Sequence, residues 1–212
     1  MIHLVSVIHG ARRVGDSRSY RPRWPILLGE HLVDHGFTML PPFYWDGDVR
    51  TGLSKSLAHR YVEEFNSALA ALSPTGPISL SVLGKSLGAT IFEHALARFR
   101  REFIIDIHQQ RGVFLRVATP DARRRCCIPS GFQTVNLRSN ADGLYRSFVV
   151  PLTLWSSLRL RCVEPQSLAR PVILDGLTHR DFNHNHTVRP LGREPIQLFD
   201  LYSNLLTPSG MS

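Results

Sequence analysis

The stretch Ile78–Leu83 followed by Gly84-Lys85-Ser86-Leu87-Gly88-Ala89 leaves this chain few folds to choose from. An apolar, β-branched run that stops at a glycine, turns over one serine and passes a second glycine into a helical pattern reads as strand, sharp turn, helix. The glycines are demanded by sterics. A serine at the tip of such a turn sits in a strained conformation, and side chains two residues to either side would collide with the neighbouring strand and helix. The turn lifts the Ser86 hydroxyl above the sheet and aims the Leu87 amide where an oxyanion would form. Taken alone, the five residues also fit an ordinary turn serine. They overlap the end of a phosphate loop, G-x-x-x-x-G-K-[ST], but that pattern needs a glycine at position 79, where Ser79 stands inside an apolar strand.

Around this turn the chain alternates strand and helix patterns. Apolar runs bounded by Gly or Pro recur at Ile2–Ile8, Phe37–Phe43, Ile78–Leu83, Gly112–Ala118, Thr134–Leu137 and Pro171–Leu174. They read as buried parallel strands. Leu53, Leu57, Tyr61, Phe65, Leu69 and Leu72 recur every three or four residues, and Phe92, Ala95, Leu96 and Phe99 repeat the pattern, so helices lie between the strands. The expectation is an open parallel sheet covered on both faces, with functional residues just after the strand ends. Gly10 to Pro25, Thr119 to Phe132 and Phe148 to Pro165 read as loops or flaps, and residues 1–212 as a single domain.

Composition narrows the function. At 212 residues and 43% apolar content the chain supports one packed domain. Met1 to Ile8 run into a strand without a charged leader, and Arg, Pro or Ser interrupts every candidate membrane span. Cys126, Cys127 and Cys162 are odd in number and lack zinc spacing, so reduced thiols and a cytoplasmic location are expected. The net charge of +8 is spread along the chain, and Arg123–Arg125 has no interleaved aromatics, so no nucleic-acid partner is expected. An acidic or phosphate-bearing substrate stays open, because a basic rim raises the local concentration of anions.

The first strand ends in His9-Gly10-Ala11, a His-Gly turn of the kind that supplies a second oxyanion amide, with Ala11 as the donor and Gly10 beside it. His9 reads as the residue that holds this loop. With these two turns the chain resembles the α/β-hydrolase family, specifically its minimal, lid-poor lipase and esterase members, over nearly its whole length. The resemblance implies an α/β-hydrolase fold, a three-layer sandwich with a mostly parallel sheet of about six strands and helices on both faces. It also implies an acid and then a histidine after later strands. Asp142, in Arg138-Ser139-Asn140-Ala141-Asp142-Gly143, fits the acid loop; Asp121 is the alternative, and an Asp before Gly also suits a plain turn. His179, in Asp175-Gly176-Leu177-Thr178-His179, fits the final histidine loop; His184 and His186 compete, and with no third ligand near them no metal site is expected.

The implied chemistry is that of a serine esterase. An imidazole takes the Ser86 proton, a carboxylate fixes the imidazole, two backbone amides hold the oxyanion, and an acyl-enzyme is hydrolysed without a cofactor. The expected partner is a small-molecule or lipid-like ester, with no stable membrane insertion. An acyltransferase with the same triad, or a noncatalytic scaffold, is the alternative. Lys85 puts a cation beside the nucleophile, and Trp45 in Tyr44-Trp45-Asp46-Gly47 is placed to wall a pocket or to pack on a helix. Phe148 to Leu160 is an apolar insertion that suits a flap or an edge element.

Overall fold

A computed structural model describes residues 2–12, 21–48, 55–73, 78–89, 91, 92, 94, 95, 107–115, 133–141 and 171–207. Six strands form one sheet: β1 (Ile2–Ile8), β2 (Thr38–Met39), β3 (Ile78–Lys85), β4 (Ile107–Leu115), β5 (Gln133–Ser139) and β6 (Pro171–Leu174). Their order is β2-β1-β3-β4-β5-β6, and every neighbouring pair is parallel. All carboxyl ends therefore emerge along one edge. The order reverses at β1, which lies between β2 and β3, and that reversal opens a crevice at the ends of β1 and β3. A two-stranded antiparallel ribbon, β7 (Thr187–Val188) with β8 (Ile196–Gln197), follows β6.

Two apolar layers sandwich the sheet, and the alternation of β1 shows how. Leu4 and Ile8 face one cluster with helix α2 (Lys55–Leu72) and the helical residues after Ser86. Val5 and Val7 face the other, with α1 (Trp24–Asp34) and α3 (Leu198–Leu206). A strand buried on both faces has no polar side to show, which is why β1 reads as a continuous apolar run. Each such buried aliphatic side chain contributes about 1.5–3 kcal/mol. Ser6 and Ser81 are buried in β1 and β3, and both are satisfied: the Tyr61 hydroxyl donates to Ser6 Oγ at 2.8 Å, and Ser81 Oγ donates to the Leu206 carbonyl at 2.8 Å.

Helix α2 follows its sequence pattern, burying Leu57, Ala58, Tyr61, Val62, Phe65 and Leu69 on one face, with Leu72 exposed at its end. Helix α1 lay hidden in the sequence. Pro25 occupies its first turn, Gly29 interrupts it, and Ile26, Leu27 and Val33 face solvent, which blurs the apolar face made by Trp24, Leu28 and Leu32. Its end is nonetheless well defined. Gly36, at φ +82°, donates to the Val33 carbonyl and Phe37 to the Leu32 carbonyl, the two bonds of a Schellman stop, with Phe37 and Leu32 buried together.

Two strands differ most from the sequence reading, while β3 and β5 only extend past the expected bounds. The expected strand Phe37–Phe43 shrinks to two residues plus a bridge from Ile8 to Phe43, because Pro41 and Pro42 have no N–H for the ladder. The expected strand Gly112–Ala118 begins earlier, at Ile107; the polar run His108-Gln109-Gln110-Arg111 concealed its first half. No helix among the described residues is long and apolar enough to cross a membrane.

Candidate functional site

The site grows from the crevice between β1 and β3. Ser86, directly after β3, has φ 54°, a left-handed conformation that a residue with a Cβ adopts only under strain. Its carbonyl accepts the Ala89 amide at 3.1 Å, the first turn of the helix that follows. The glycines around it are spaces for backbone. A Cβ on Gly84 would meet Ala89 Cα at 2.7 Å, one on Gly88 would meet the Ile8 carbonyl oxygen at 2.3 Å, and one on Gly10 would meet Ser86 Cβ at 2.9 Å. Strand, helix and the His9-Gly10 turn thus close on Ser86 without room for another carbon. The serine itself is buried, at 7% exposure.

The loop that carries Gly10 and Ala11 is tied to residues 44–48. The Trp45 indole N–H donates to the His9 carbonyl at 3.0 Å, the Trp45 amide to His9 Nε2 at 3.3 Å, and the Arg12 amide to the Gly47 carbonyl at 2.9 Å. Because Nε2 accepts, Nδ1 carries the proton and donates to the Gly10 carbonyl at 2.7 Å. The ring stacks on Trp45, with centroids 5.4 Å apart. Burial strips water from this imidazole and lowers its pKa to about 4, against which the bonds to Gly10 and Trp45 act weakly, so His9 is neutral. Trp45 is buried at 4%, its indole turned to the His9 loop and the core.

The histidine loop follows β6 along the same edge of the sheet. His179 is half-buried in a turn that Asp181 organises: Asp181 Oδ2 accepts the Thr178 amide at 2.6 Å and the Thr178 hydroxyl at 2.7 Å. These two bonds, the hydroxyl first, hold the Asp181 carboxyl below its usual pKa. Lys85, one residue before the nucleophile candidate, is buried, and its ammonium donates to Asn183 Oδ1. That bond ties the end of β3 to the loop of His179. The loop after β5 joins it through Asn140, whose Nδ2 donates to Asp175 Oδ1 at 2.6 Å and whose Oδ1 accepts the Gly176 amide at 2.9 Å.

Among the sequence candidates, Ser86, Leu87, Gly10, Ala11, Lys85 and His179 therefore lie at or just beyond strand ends along one edge of the sheet. Asp142 and Asp121, and the segment from Phe148 to Leu160, lie outside the described residues. The described part of the loop after β5 stops at Ala141, beside Asn140. His184 is exposed, and its carbonyl lies 2.9 Å from His186 Nδ1. Sequence reasoning missed Asn140, Asp181 and Asn183 as fasteners. All three stand in polar turns that the sequence displays, but the partners of Asn140 and Asn183 are 35 and 98 residues away, and local pattern carries no sign of them.

The described residues form an α/β fold with a parallel six-stranded sheet. Among solved structures, the chain is similar to a protein of Xanthomonas campestris pv. campestris provisionally assigned as a hydrolase of the alpha/beta superfamily, with a TM-score of 0.50 and 16% identity over 97% of this chain and 96% of that one. At that identity the likeness concerns the fold. A scan against protein-family models finds no match, and a search of curated proteins finds none either.

Proposed function

We propose that this protein is a serine hydrolase that cleaves a carboxylic ester, thioester or lipid ester through an acyl-enzyme on Ser86. The observation that carries the reading is the conformation of Ser86: a strained serine at a strand-to-helix turn, pressed by Gly10 and flanked by the close-packed Gly84 and Gly88, at the sheet's crevice. Backbone strain of about 1–3 kcal/mol of this kind clusters at functional sites, and here it comes with a buried position between two closely packed glycines. In this reading His179 takes the Ser86 proton as the hydroxyl attacks the carbonyl, and returns it to the leaving alcohol or thiol. Asp142 orients the imidazole and stabilises its charged form. The Leu87 and Ala11 amides hold the oxyanion, and the tie from Trp45 to His9 keeps the second of these in place. Lys85 acts here through Asn183, as a positioning residue for the loop of His179.

The test is labelling of the purified protein with a fluorophosphonate probe, beside Ser86→Ala, His179→Ala, Asp142→Asn and Asp121→Asn, followed by a panel of p-nitrophenyl esters. The expected result is labelling of the wild type, none in Ser86→Ala, and a loss in rate of about 10³-fold or more in His179→Ala. Asp142→Asn should fall well below Asp121→Asn. Folded wild-type protein that takes no label overturns the reading in favour of a noncatalytic scaffold.

A further inference from the structure

We propose that His31, His35 and Asp200 form a divalent transition-metal site, of the zinc class, on the seam between α1 and α3. The two histidines are four residues apart at the end of α1, a spacing that stacks side chains on one face of a helix. Asp200 comes to them from the first turn of α3. One donor atom from each of the three lies within 4.8 Å of the others. His31 Nε2 is 3.0 Å and His35 Nε2 3.9 Å from the same carboxylate oxygen. Bonds of about 2.0–2.2 Å in a tetrahedral zinc shell place donors about 3.3–3.6 Å apart, so the two nitrogen–oxygen separations bracket that spacing.

The hydrogen-bond pattern suits a metal better than a plain ion pair. His35 Nδ1 lies 2.8 Å from the His31 carbonyl, an acceptor that holds a proton on Nδ1, so that the neutral imidazole offers its Nε2 lone pair to the cluster. His31 Nε2 is enclosed and has no hydrogen-bond partner in line with it, although the carboxylate oxygen is beside it. A nitrogen buried without a hydrogen bond costs stability, and coordination would use its lone pair. Two imidazoles and one carboxylate form a borderline donor set, matched to zinc, cobalt or nickel rather than to calcium or magnesium. His35 and Asp200 are close to half exposed, which leaves a path for the ion and a place for water as the fourth ligand.

The cluster is remote from the proposed active centre. His35 leads through Gly36 into β2, whose Thr38 is level with Leu4 of β1, whereas Ser86 packs against Gly10, beyond the carboxyl end of that strand. Its role is a clamp: a bound ion joins α1 to α3 on the face of the sheet that both helices cover.

The test is titration of the chelator-treated full chain with Zn²⁺ by calorimetry, and with Co²⁺ by visible absorption. One ion should bind per chain, with the visible bands of tetrahedral cobalt, and saturating zinc should raise Tm. His31→Ala, His35→Ala and Asp200→Asn should each weaken binding at least about tenfold. His35, at the exposed helix cap, supplies the variant that folds if His31→Ala does not. Ser86→Ala and a His184→Ala/His186→Ala double variant should bind as the wild type does, which separates this site from the hydrolase reading. No uptake by the wild type, or equal uptake by His35→Ala, would establish the cluster as a simple histidine–carboxylate contact and overturn the proposal.

Discussion

The Ser86 turn and the His179 loop stand at the same edge of one sheet, yet they are held by opposite means. Around Ser86 there is little exposed surface and almost no space: glycines face their neighbours at distances no Cβ tolerates, and the supporting imidazole of His9 is buried and neutral. Around His179 the chain is largely solvated, and it is fastened by side-chain hydrogen bonds from Asn140, Asp181 and Lys85. Volume exclusion positions the first region, and polar ties position the second. A change at the first should damage folding, while a change at the second should damage alignment.

The largest effect separating the two belongs to Gly88→Ala. The new methyl would stand 2.3 Å from the Ile8 carbonyl oxygen, which belongs to the central strand and cannot yield cheaply. We expect a loss of about 3 kcal/mol or more in urea unfolding; a loss under about 1 kcal/mol would show that the turn has room and break the comparison. Next comes the pH dependence set by His9. Its folded pKa of about 4 lies below its ordinary value of 6.5, so the unfolded chain binds a proton that the folded chain refuses. Stability is then fully present above pH 6.5 and falls as the pH drops toward 4, by roughly 3 kcal/mol from this group. Urea melts across that window should show the fall, and it should flatten in His9→Gln.

Asn140→Ala should cost only about 1 kcal/mol, since its bonds to Asp175 and Gly176 are exposed, while lowering turnover more than that loss of folded protein explains. Equal losses in both readouts would assign Asn140 to stability alone. The smallest effect sharpens the steric reading of Ser86. Ser86→Gly should be more stable than Ser86→Ala by about 1 kcal/mol, because glycine adopts φ 54° without strain and alanine does not. The reverse order would mean that the turn is not strained.

The contrast also explains what could be read from the sequence. The close-packed region announces itself, because each steric demand falls on a particular residue: Gly84, Ser86, Gly88 and Gly10 were legible at once, and so were β1 and β6 with their full bounds. Regions held by distant polar partners were not. Asn140, Asp181 and Asn183 look like ordinary turn residues until the fold brings their partners near. Helix α1 was hidden by its exposed Ile26, Leu27 and Val33, and with it the pairing of His31 and His35 against Asp200. Two histidines four apart are visible in any sequence, but the aspartate that completes the group comes from a helix on the far side of the chain's path.

The bond from Ser81 in β3 to the carbonyl of Leu206 spans 125 residues of sequence, and it bears on the order in which the molecule can be assembled. The sheet face that holds Val5, Val7 and Leu83 is roofed jointly by α1 and α3. A nascent chain can make α1 early, but the part of that face that packs on α3 lacks this cover until residues 198–206 have left the ribosome. Ser86 is therefore translated long before its own strand can be sealed, and a chain stalled before α3 would present that apolar face to whatever chaperone or neighbouring chain it met.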